Sequence, residues 1–559
     1  MPQVGLNQVR GAQAVLAVLR ARGVRVLFGL PGSTEAALLD ALREAPDLRY
    51  VLTLQEGVAV AMADGYARAT RGAAVVNLHT TVGTLAGLSL LYNAWRDRVP
   101  LVVLASHKDT RILGRGGFTS LPDTTALARP LCKWAHQTLR AEQVGEDVER
   151  AFQQALASPR GPAYVLVPED LLADAVPGAG STPTAQALPP RAHPQAVEEL
   201  AERLLRARRP VMVVGSEVAR SAAAELAVRL ASELELAVVW EPRRTLVEIP
   251  YPEEEPHFVG GYDPSHPAVA GADLLVVLGA VLFVEFSPPS SPEIPSHAQL
   301  VHVHADAAEL GRLYPPALPV HGDPGLVLQD LLQAVQARRA EVEAVRLERA
   351  GWVAALRTRW EAEISRAERE AQARGITAFQ VGRELGRILP PHTLVVEEAV
   401  RSSPAFLDGY PAQPGGLLRT AGGSLGWGVP AALGAQMAQP GRPVVAVVGD
   451  GCLHFTPQAL WTGVRQGLPV LVVVLNNQKY LAVEAGVRRL RGGELAPGTP
   501  GVDLSGIDHA AVARGYGAGG LRVDSRQELG DVLREGFRLA LQEGRPYVVD
   551  VPVEDEPGL

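Results

Sequence analysis

Short apolar runs alternate with amphipathic stretches through most of this chain, and that alternation constrains its fold more than any other feature. Arg25–Leu30, Ala73–Leu78, Pro100–Ser106 and Ala163–Pro168 read as buried strands, with helices expected over Gly11–Arg22, Ser33–Arg43 and Gly57–Thr70. A strand with one wet face alternates apolar and polar residues, whereas a strand covered on both faces reads as an unbroken apolar run. These runs are of the second kind. The chain is therefore expected to build parallel sheets with helices on both faces, the doubly wound α/β class. The pattern breaks at Val176–Pro194, a Pro/Ala/Gly-rich stretch that reads as a linker. It resumes with Pro210–Gly215, Leu236–Trp240, Asp273–Gly279 and Leu300–Ala305, then gives way to Gln336–Glu370, which reads as a surface helix and connector. A third block starts near Ile376, with strands at Thr393–Val396, Pro443–Val448, Pro469–Leu475 and Pro546–Val551. Three parallel-sheet domains are expected, at 1–178, 192–338 and 372–559, the first and third alike in length and texture.

The rest of the composition narrows the function class. At 559 residues the chain is long enough to bury several cores. Its net charge is −8 with no basic block, which argues against nucleic acid or an anionic membrane surface as a partner. Cys132 and Cys452, the two cysteines, are too far apart in sequence to suggest a metal cluster or a disulfide framework, and they suit a reducing cytoplasm. Residues Met1–Arg10 lack an apolar signal core, and no run of about 18 apolar residues is present. The expectation is a cytoplasmic protein acting on small molecules.

The chemistry concentrates in the third block. The apolar run Val444–Val448 ends in Gly449-Asp450-Gly451, and a second run, Val470–Leu475, ends in Asn476-Asn477 after a gap of twenty-four residues. Either pair alone reads as an ordinary turn, because Asp-Gly and Asn-Asn both favour turns. Together, each after a buried strand, they put polar groups at the carboxyl edge of one sheet, where open α/β sheets bind ligands. The donor set suits a divalent ion bridging a diphosphate. Mg²⁺ prefers octahedral oxygen ligands, a carboxylate or two plus phosphate oxygens. Asp450 offers a carboxylate, Asn477 an amide oxygen and Lys479 a backbone carbonyl, while Gly449 and Gly451 let backbone approach the phosphates.

This signature resembles the thiamine-diphosphate enzymes of the 2-keto acid decarboxylase and carboligase superfamily. The likeness runs through Pro31-Gly32-Ser33-Thr34-Glu35, Gln55-Glu56, Ala63-Asp64-Gly65-Tyr66-Ala67, Asn77-Leu78-His79 and Tyr92-Asn93-Ala94-Trp95. It continues through Arg129–Trp134, Ala421–Pro430, Ala459–Thr462 and Gly506-Ile507-Asp508. It is strongest toward the benzoylformate decarboxylase branch, with acetolactate synthase more distant. The resemblance implies pyrimidine-binding, middle and diphosphate-binding domains in that order. The cofactors it implies are thiamine diphosphate and Mg²⁺, with Ca²⁺ able to substitute. It also implies a homodimer at minimum and a homotetramer as the fuller assembly, because the site is shared between chains. The reaction it implies is loss of CO₂ from a 2-keto acid, giving an aldehyde or, by carboligation, a 2-hydroxy ketone.

The resemblance also assigns roles to residues. Glu56 matches the acid that hydrogen-bonds the pyrimidine ring of the partner subunit's cofactor; unaided, it reads as an acidic residue favoured at a helix start. Leu425 matches the apolar residue that bends the cofactor, and the carbonyl of Gly423 the acceptor for its amino group. Gly449, Gly451, Cys452 and Tyr480 fall in the cofactor pocket, and Asp450, Asn477 and Lys479 hold the metal. Ser33, which alone reads as a helix N-cap, matches a binder of the substrate carboxylate. His79 matches a proton-transfer group, work its pKa range suits. Phe118, Thr119 and Ala482 line the substrate pocket.

There are departures. Phe286 stands where the benzoylformate branch has a second catalytic histidine. Arg401, within Val400-Arg401-Ser402-Ser403, stands where relatives place hydroxyls near the diphosphate, and Lys479 stands where a threonine is usual. Three rivals are open. An acetolactate-synthase-like transferase is disfavoured because Tyr480-Leu481-Ala482-Val483-Glu484 lacks the Met and Gln-Trp pattern of such enzymes. A flavin oxidoreductase is disfavoured because Gly215-Ser216-Glu217 is no dinucleotide loop. A low-turnover cofactor-binding homologue would have no need of Glu56.

Overall fold

The structure, a computed structural model, describes residues 8–177, 183–282 and 292–555. It contains three six-stranded sheets and a small two-stranded one, in which Gln8–Arg10 pairs antiparallel with Ala175–Pro177. The first large sheet uses β1 (Val26–Leu30), β2 (Arg49–Leu52), β3 (Ala74–Leu78), β4 (Leu101–His107), β5 (Trp134–Gln137) and β6 (Ala163–Pro168). Their order is β2-β1-β3-β4-β6-β5, all parallel. The middle sheet uses β7 (Pro210–Val214), β8 (Ala237–Trp240), β9 (Phe258–Gly261), β10 (Leu274–Leu278), β11 (Gln299–His304) and β12 (Leu318–His321), in the order β9-β8-β7-β10-β11-β12. The third uses β13 (Leu394–Glu398), β14 (Leu417–Arg419), β15 (Val444–Gly449), β16 (Val470–Asn476), β17 (Gly519–Arg522) and β18 (Tyr547–Pro552), in the order β14-β13-β15-β16-β18-β17. The first and third sheets thus share one winding, and the middle sheet has another. The fold is the expected doubly wound α/β with three parallel sheets.

Every strand read from the sequence is present, displaced by a residue or two at its ends. Six strands of the three large sheets went unread, β2, β5, β9, β12, β14 and β17, as did the pair Gln8–Arg10 and Ala175–Pro177. All six are sheet edges. The expected helix at Ser33–Arg43 begins as a 3-10 turn, Ser33–Glu35, and becomes α-helical only from Ala36.

The chain divides into two compact units. One comprises Met1–Ala187, Val395–Val400 and Gly422–Pro552; the other comprises Leu188–Leu394, Arg401–Ala421 and Val553–Leu559. Within the first unit, helix α1 (Glu56–Thr70) is buried along most of its length and lies against a later helix, Gly428–Ala438. Two glycines permit this approach. A Cβ on Gly65 would sit 2.0 Å from the Ala431 carbonyl oxygen, and one on Gly434 would sit 1.9 Å from that of Met62. Asp64 holds buried Arg68 at 2.6 Å, Arg68 also reaches Asp97 at 2.6 Å, and its guanidinium lies 5.1 Å from the Trp427 ring centre. The Ala63–Ala67 motif is therefore a packing device. Long helix Arg339–Gln372 belongs to the second unit, where buried Arg349 donates to the carbonyls of Leu234 and Ala207 at 2.8 and 2.7 Å and also to that of Leu204.

Gly65→Ala is expected to cost about 1–3 kcal/mol, because the new methyl meets backbone that cannot rotate away. Gly441→Ala, whose Cβ would meet nothing within 4 Å, should stay within about 0.5 kcal/mol of the parent. Denaturant unfolding of the two variants against the parent measures the difference.

Candidate active site

The two apolar runs of the third block are adjacent parallel strands, with Val448 opposite Val474 and Gly449 opposite Leu475. Their tips meet at one edge. Asp450 opens a short helix, α4 by chain order after α2 (Thr80–Arg96) and α3 (Gly428–Ala438), spanning Asp450–Phe455. The chain after β16 bends back toward it. Burial pushes the Asp450 carboxyl up, while the amides of Gly451, Gln478 and Lys479 and the charge of His509 pull it back. One carboxylate oxygen accepts from the Gly451 amide at 2.7 Å; the other, Oδ2, is buried and makes no hydrogen bond.

The tandem asparagines divide the work. Asn476 is buried and structural, donating to Asp550 at 2.9 Å and accepting from the Gln478 amide at 3.1 Å. Asn477 accepts from the Lys479 amide at 3.2 Å. Gln478 between them sits in the left-handed region at φ 59°. Lys479 sends its side chain to Glu484, 3.0 Å away, so only its backbone faces the turn. Tyr480 lies over Gly451, where a Cβ would come 2.5 Å from its ring. Cys452 is buried beside Gly449, and burial raises its thiol far above the ordinary range, so it is no nucleophile.

Leu425 occupies a loop pinned from three sides. The Asn93 side chain donates to the Ser424 carbonyl at 2.8 Å and accepts from its amide at 3.0 Å. Thr456 donates to the Gly426 carbonyl at 2.7 Å. Glu398, fully buried at the end of β13, accepts from the amides of Gly426, Trp427 and Gly428 at 3.0, 3.1 and 2.8 Å. Its carboxyl is pushed up to about 8 by burial, against the pull of those amides. Gly423 and Gly426, at φ 80° and 93°, take backbone conformations closed to most side chains. Leu425 is thereby held in a fixed place without a regular element beneath it.

The first sheet carries the second cluster. Glu56 is the first residue of α1, after Gln55, whose side chain caps the Val58 amide at 3.0 Å. Burial raises its carboxyl, opposed by its own backbone and by His79. A Cβ on Gly83, in the first turn of α2, would lie 3.3 Å from the Glu56 carboxylate and 3.3 Å from His79. His79 precedes α2, and its Nδ1 lies 2.9 Å from Glu35 and 3.1 Å from the Thr34 hydroxyl. Glu35 is fully buried and also accepts from the Gly32 amide at 2.7 Å. A carboxylate only accepts, so Nδ1 carries the proton in this pair. Thr80, a β-branched residue, is strained at φ 46°.

The sequence reading missed Glu35, Asn93 and Glu398 as site-building residues, although two of them lie inside matched segments. Ser33 is exposed and is not the cap expected of it: it is the first residue of the 3-10 turn, Gly32 holds the cap position, and the Glu35 carboxylate accepts from the Gly32 amide. Phe118 is 85% exposed, Thr119 sits at φ 61°, and Ala482 is half-buried on helix α5 (Leu481–Leu490). Arg401 belongs to the second unit, and Phe286 lies outside the described residues.

In the middle sheet the strand order reverses at β7 and β10, the place where such sheets take nucleotides. A Cβ on Gly215 would come 2.4 Å from the Gly279 oxygen, so the tips are packed together. Buried Glu241 takes the Ser216 amide at 2.7 Å, and Glu217 lies 3.5 Å from His304. Carboxylates at this turn oppose a pyrophosphate.

Comparison with known proteins agrees with this geometry. Residues 9–127, 197–331 and 409–551 match the N-terminal TPP binding, central and C-terminal TPP binding domains of thiamine pyrophosphate enzymes. Benzoylformate decarboxylase of Pseudomonas aeruginosa is 34% identical over 96% of this chain and 97% of its own. The putative acetolactate synthase large subunit IlvX of Mycobacterium tuberculosis is 30% identical over 98% and 99%. Among solved structures, the 4-hydroxybenzoylformate decarboxylase of Rhodococcus jostii RHA1 matches with a TM-score of 0.84 at 28% identity, covering 98% of this chain and all of that one. Benzoylformate decarboxylase from Polynucleobacter necessarius gives 0.85 at 26% identity, covering 98% and 99%. The chain belongs to the thiamine pyrophosphate enzyme family, with benzoylformate decarboxylases among its relatives.

Proposed function

We propose that this protein decarboxylates an aromatic or branched 2-keto acid without oxidation, using thiamine diphosphate and Mg²⁺, and that it also joins aldehydes into 2-hydroxy ketones. The observation that carries this reading is Asp450 Oδ2, a buried oxygen with no hydrogen-bond partner, on a carboxyl that the Gln478 and Lys479 amides pull toward its charged form. Such an atom is costly unless a cation completes it. The donors around it are hard oxygens, which fit Mg²⁺ or Ca²⁺. Among the described residues no cluster of three His, Cys, Asp or Glu side chains forms a rival metal site. Asp450, Asn477 and the Lys479 carbonyl would hold the ion. Gly449, Gly451, Cys452 and Tyr480 would surround the diphosphate, and Arg401 is assigned to it on charge alone.

Thiamine diphosphate, when bound, supplies an acidic carbon that adds to the keto group and an electron sink for the pair left by CO₂. Glu56 would hydrogen-bond the pyrimidine ring, and its raised carboxyl suits a shared proton. Leu425 would pack against the cofactor, and the Gly423 carbonyl would accept from its amino group. Ser33 binds the substrate carboxylate. His79, oriented by Glu35, moves a proton at Nε2. Phe118, Thr119 and Ala482 would shape the substrate's far end, and the Phe286 expectation lies outside the described residues.

The active unit in this proposal is at least a homodimer, and the fuller assembly a tetramer. Helix α2 supports it: Val82, Leu85, Tyr92 and Trp95 are 47%, 49%, 38% and 39% exposed on one helix. An apolar stripe of this kind beside Glu56 suits a second copy of the chain. The domain boundaries proposed are 1–178, 192–338 and 372–559, the cell compartment the cytoplasm. No described helix is long and apolar enough to cross a membrane.

Purified protein with thiamine diphosphate and Mg²⁺ should release CO₂ and aldehyde from at least one member of a panel of aryl and branched 2-keto acids. Chelation should abolish release. Acetolactate from pyruvate, or no CO₂ from any member, would overturn the assignment. Glu56→Gln should lower kcat by about 100-fold while cofactor still binds. Glu35→Gln should lower kcat about tenfold with KM little changed, since orientation of His79 rather than substrate binding is lost.

A further inference from the structure

The Asp450 cluster uses the tips of β15 and β16. A second concavity lies beyond β16, between the end of that strand, the end of β17 and the helix His509–Gly515. It encloses about 460 Å³ and is open to solvent on one side, a size that suits a small molecule. Buried Asn476 and exposed Gln478, the residues on either side of Asn477, line it together with Ile507, Asp508, Arg514 and Arg522. The acids nearest the two guanidiniums stand off. Arg514 is 3.8 Å from Asp508, and Arg522 is 3.5 Å from Asp550 and 3.7 Å from Asp524. Contacts of that length are poor hydrogen bonds, so both forks keep N–H groups for an incoming carboxylate. Asp508 uses Oδ1 to cap the Ala511 amide at 2.8 Å, and its charge faces the same space.

We infer that this concavity binds a small 2-amino acid with an apolar side chain, and that its occupant strengthens the metal site through Gln478. The lining fixes the class. Two guanidiniums call for a carboxylate, Asp508 calls for a cationic donor, and Ile507 gives an apolar wall. A dianion would meet Asp508 with its second charge, and a 2-keto acid would bring Asp508 no donor. Coupling follows from Gln478. It lines the concavity, and its amide is one of those bonded to the Asp450 carboxyl. Its backbone, at φ 59°, needs support to persist. An occupant that bears on Gln478 favours the conformation that aims this amide at Asp450. Linkage makes the effect mutual, so the divalent ion tightens the amino acid by the same factor. The coupling, though not the binding, rests on the proposed role of Asp450 and Asn477 as metal ligands.

The probes are L-leucine, L-phenylalanine and the 2-hydroxy counterpart of leucine, titrated calorimetrically into the full-length protein. At least one amino acid should bind saturably, and the hydroxy acid about tenfold more weakly than leucine. Asp508→Asn keeps a good helix cap but loses the charge, and should erase that preference. Arg514→Gln should weaken amino acid binding about tenfold. In the parent, a saturating amino acid should lower by about fivefold the Mg²⁺ concentration that half-saturates thiamine diphosphate binding, read by quenching of tryptophan fluorescence. No saturable heat from either amino acid below about 10 mM overturns the site. So does an Arg514→Gln protein that melts like the parent and binds as tightly. A preference that survives Asp508→Asn overturns the amino acid assignment, and this arm decides the matter if Arg514→Gln does not fold. Binding without a shift in the Mg²⁺ midpoint overturns the coupling. A parent that binds no thiamine diphosphate with Mg²⁺ overturns the proposed function and the coupling together, while the calorimetry still decides the site.

Discussion

All strands of a parallel sheet end at the same edge, and in this chain that polarity gathers the polar groups. β15 and β16 run side by side with Gly449 opposite Leu475, so Asp450 and the Asn476-Asn477 pair emerge together. In the first sheet β1 and β3 are likewise neighbours, with Leu30 opposite Leu78. Glu35 and His79 therefore leave the sheet close enough to bond. One packing rule, applied twice with the same strand order, gathers Glu35 and His79 at the edge of one sheet and Asp450 and the asparagine pair at the edge of another. Shifting either register by one residue would turn each polar tip to the opposite face of its sheet.

The edge is also where the backbone is strained. Thr80, Val400 and Gln478 are non-glycine residues with φ of 46°, 51° and 59°, each two positions past the end of a strand. Such conformations persist only where surrounding bonds over-determine them. Those bonds are present. Glu35 and Thr34 fix His79 just before Thr80, and Asn476 and Asn477 take the amides on either side of the Gln478 bend. The Leu425 loop follows the same logic, with Asn93, Thr456 and Glu398 as its fasteners. Buried polar side chains here serve to hold short irregular segments, leaving the apolar strands to supply the stability.

The sequence disclosed what burial writes into it. Central strands such as Val444–Gly449 are covered on both faces and read as continuous apolar runs. Edge strands such as Leu318–His321 and Gly519–Arg522 have exposed positions and few residues, and carry no such signature. The paired strand tips were legible because Gly-Asp-Gly and Asn-Asn differ from their apolar surroundings, and the role proposed for Glu56 comes only from family likeness. Glu35 and Glu398 were not, because their roles depend on long-range partners: His79 lies forty-four positions from Glu35, and the Gly426–Gly428 amides lie about thirty from Glu398. Ser33 misled for a related reason. A serine after Pro-Gly is a good cap in isolation, but the turn starts at Ser33 itself and Gly32 takes the cap position.

In the proposed active unit the acid of one chain works on the cation half-site of another. Glu56→Gln and Asp450→Ala proteins, each inactive, test it when co-assembled by mixing after mild dissociation. If the site is shared, a mixed dimer contains one site with both wild-type residues. Random pairing of equal amounts should then restore about a quarter of parental CO₂ release. If both residues serve a site within one chain, every site keeps one defect, and the mixture will stay as inactive as its components.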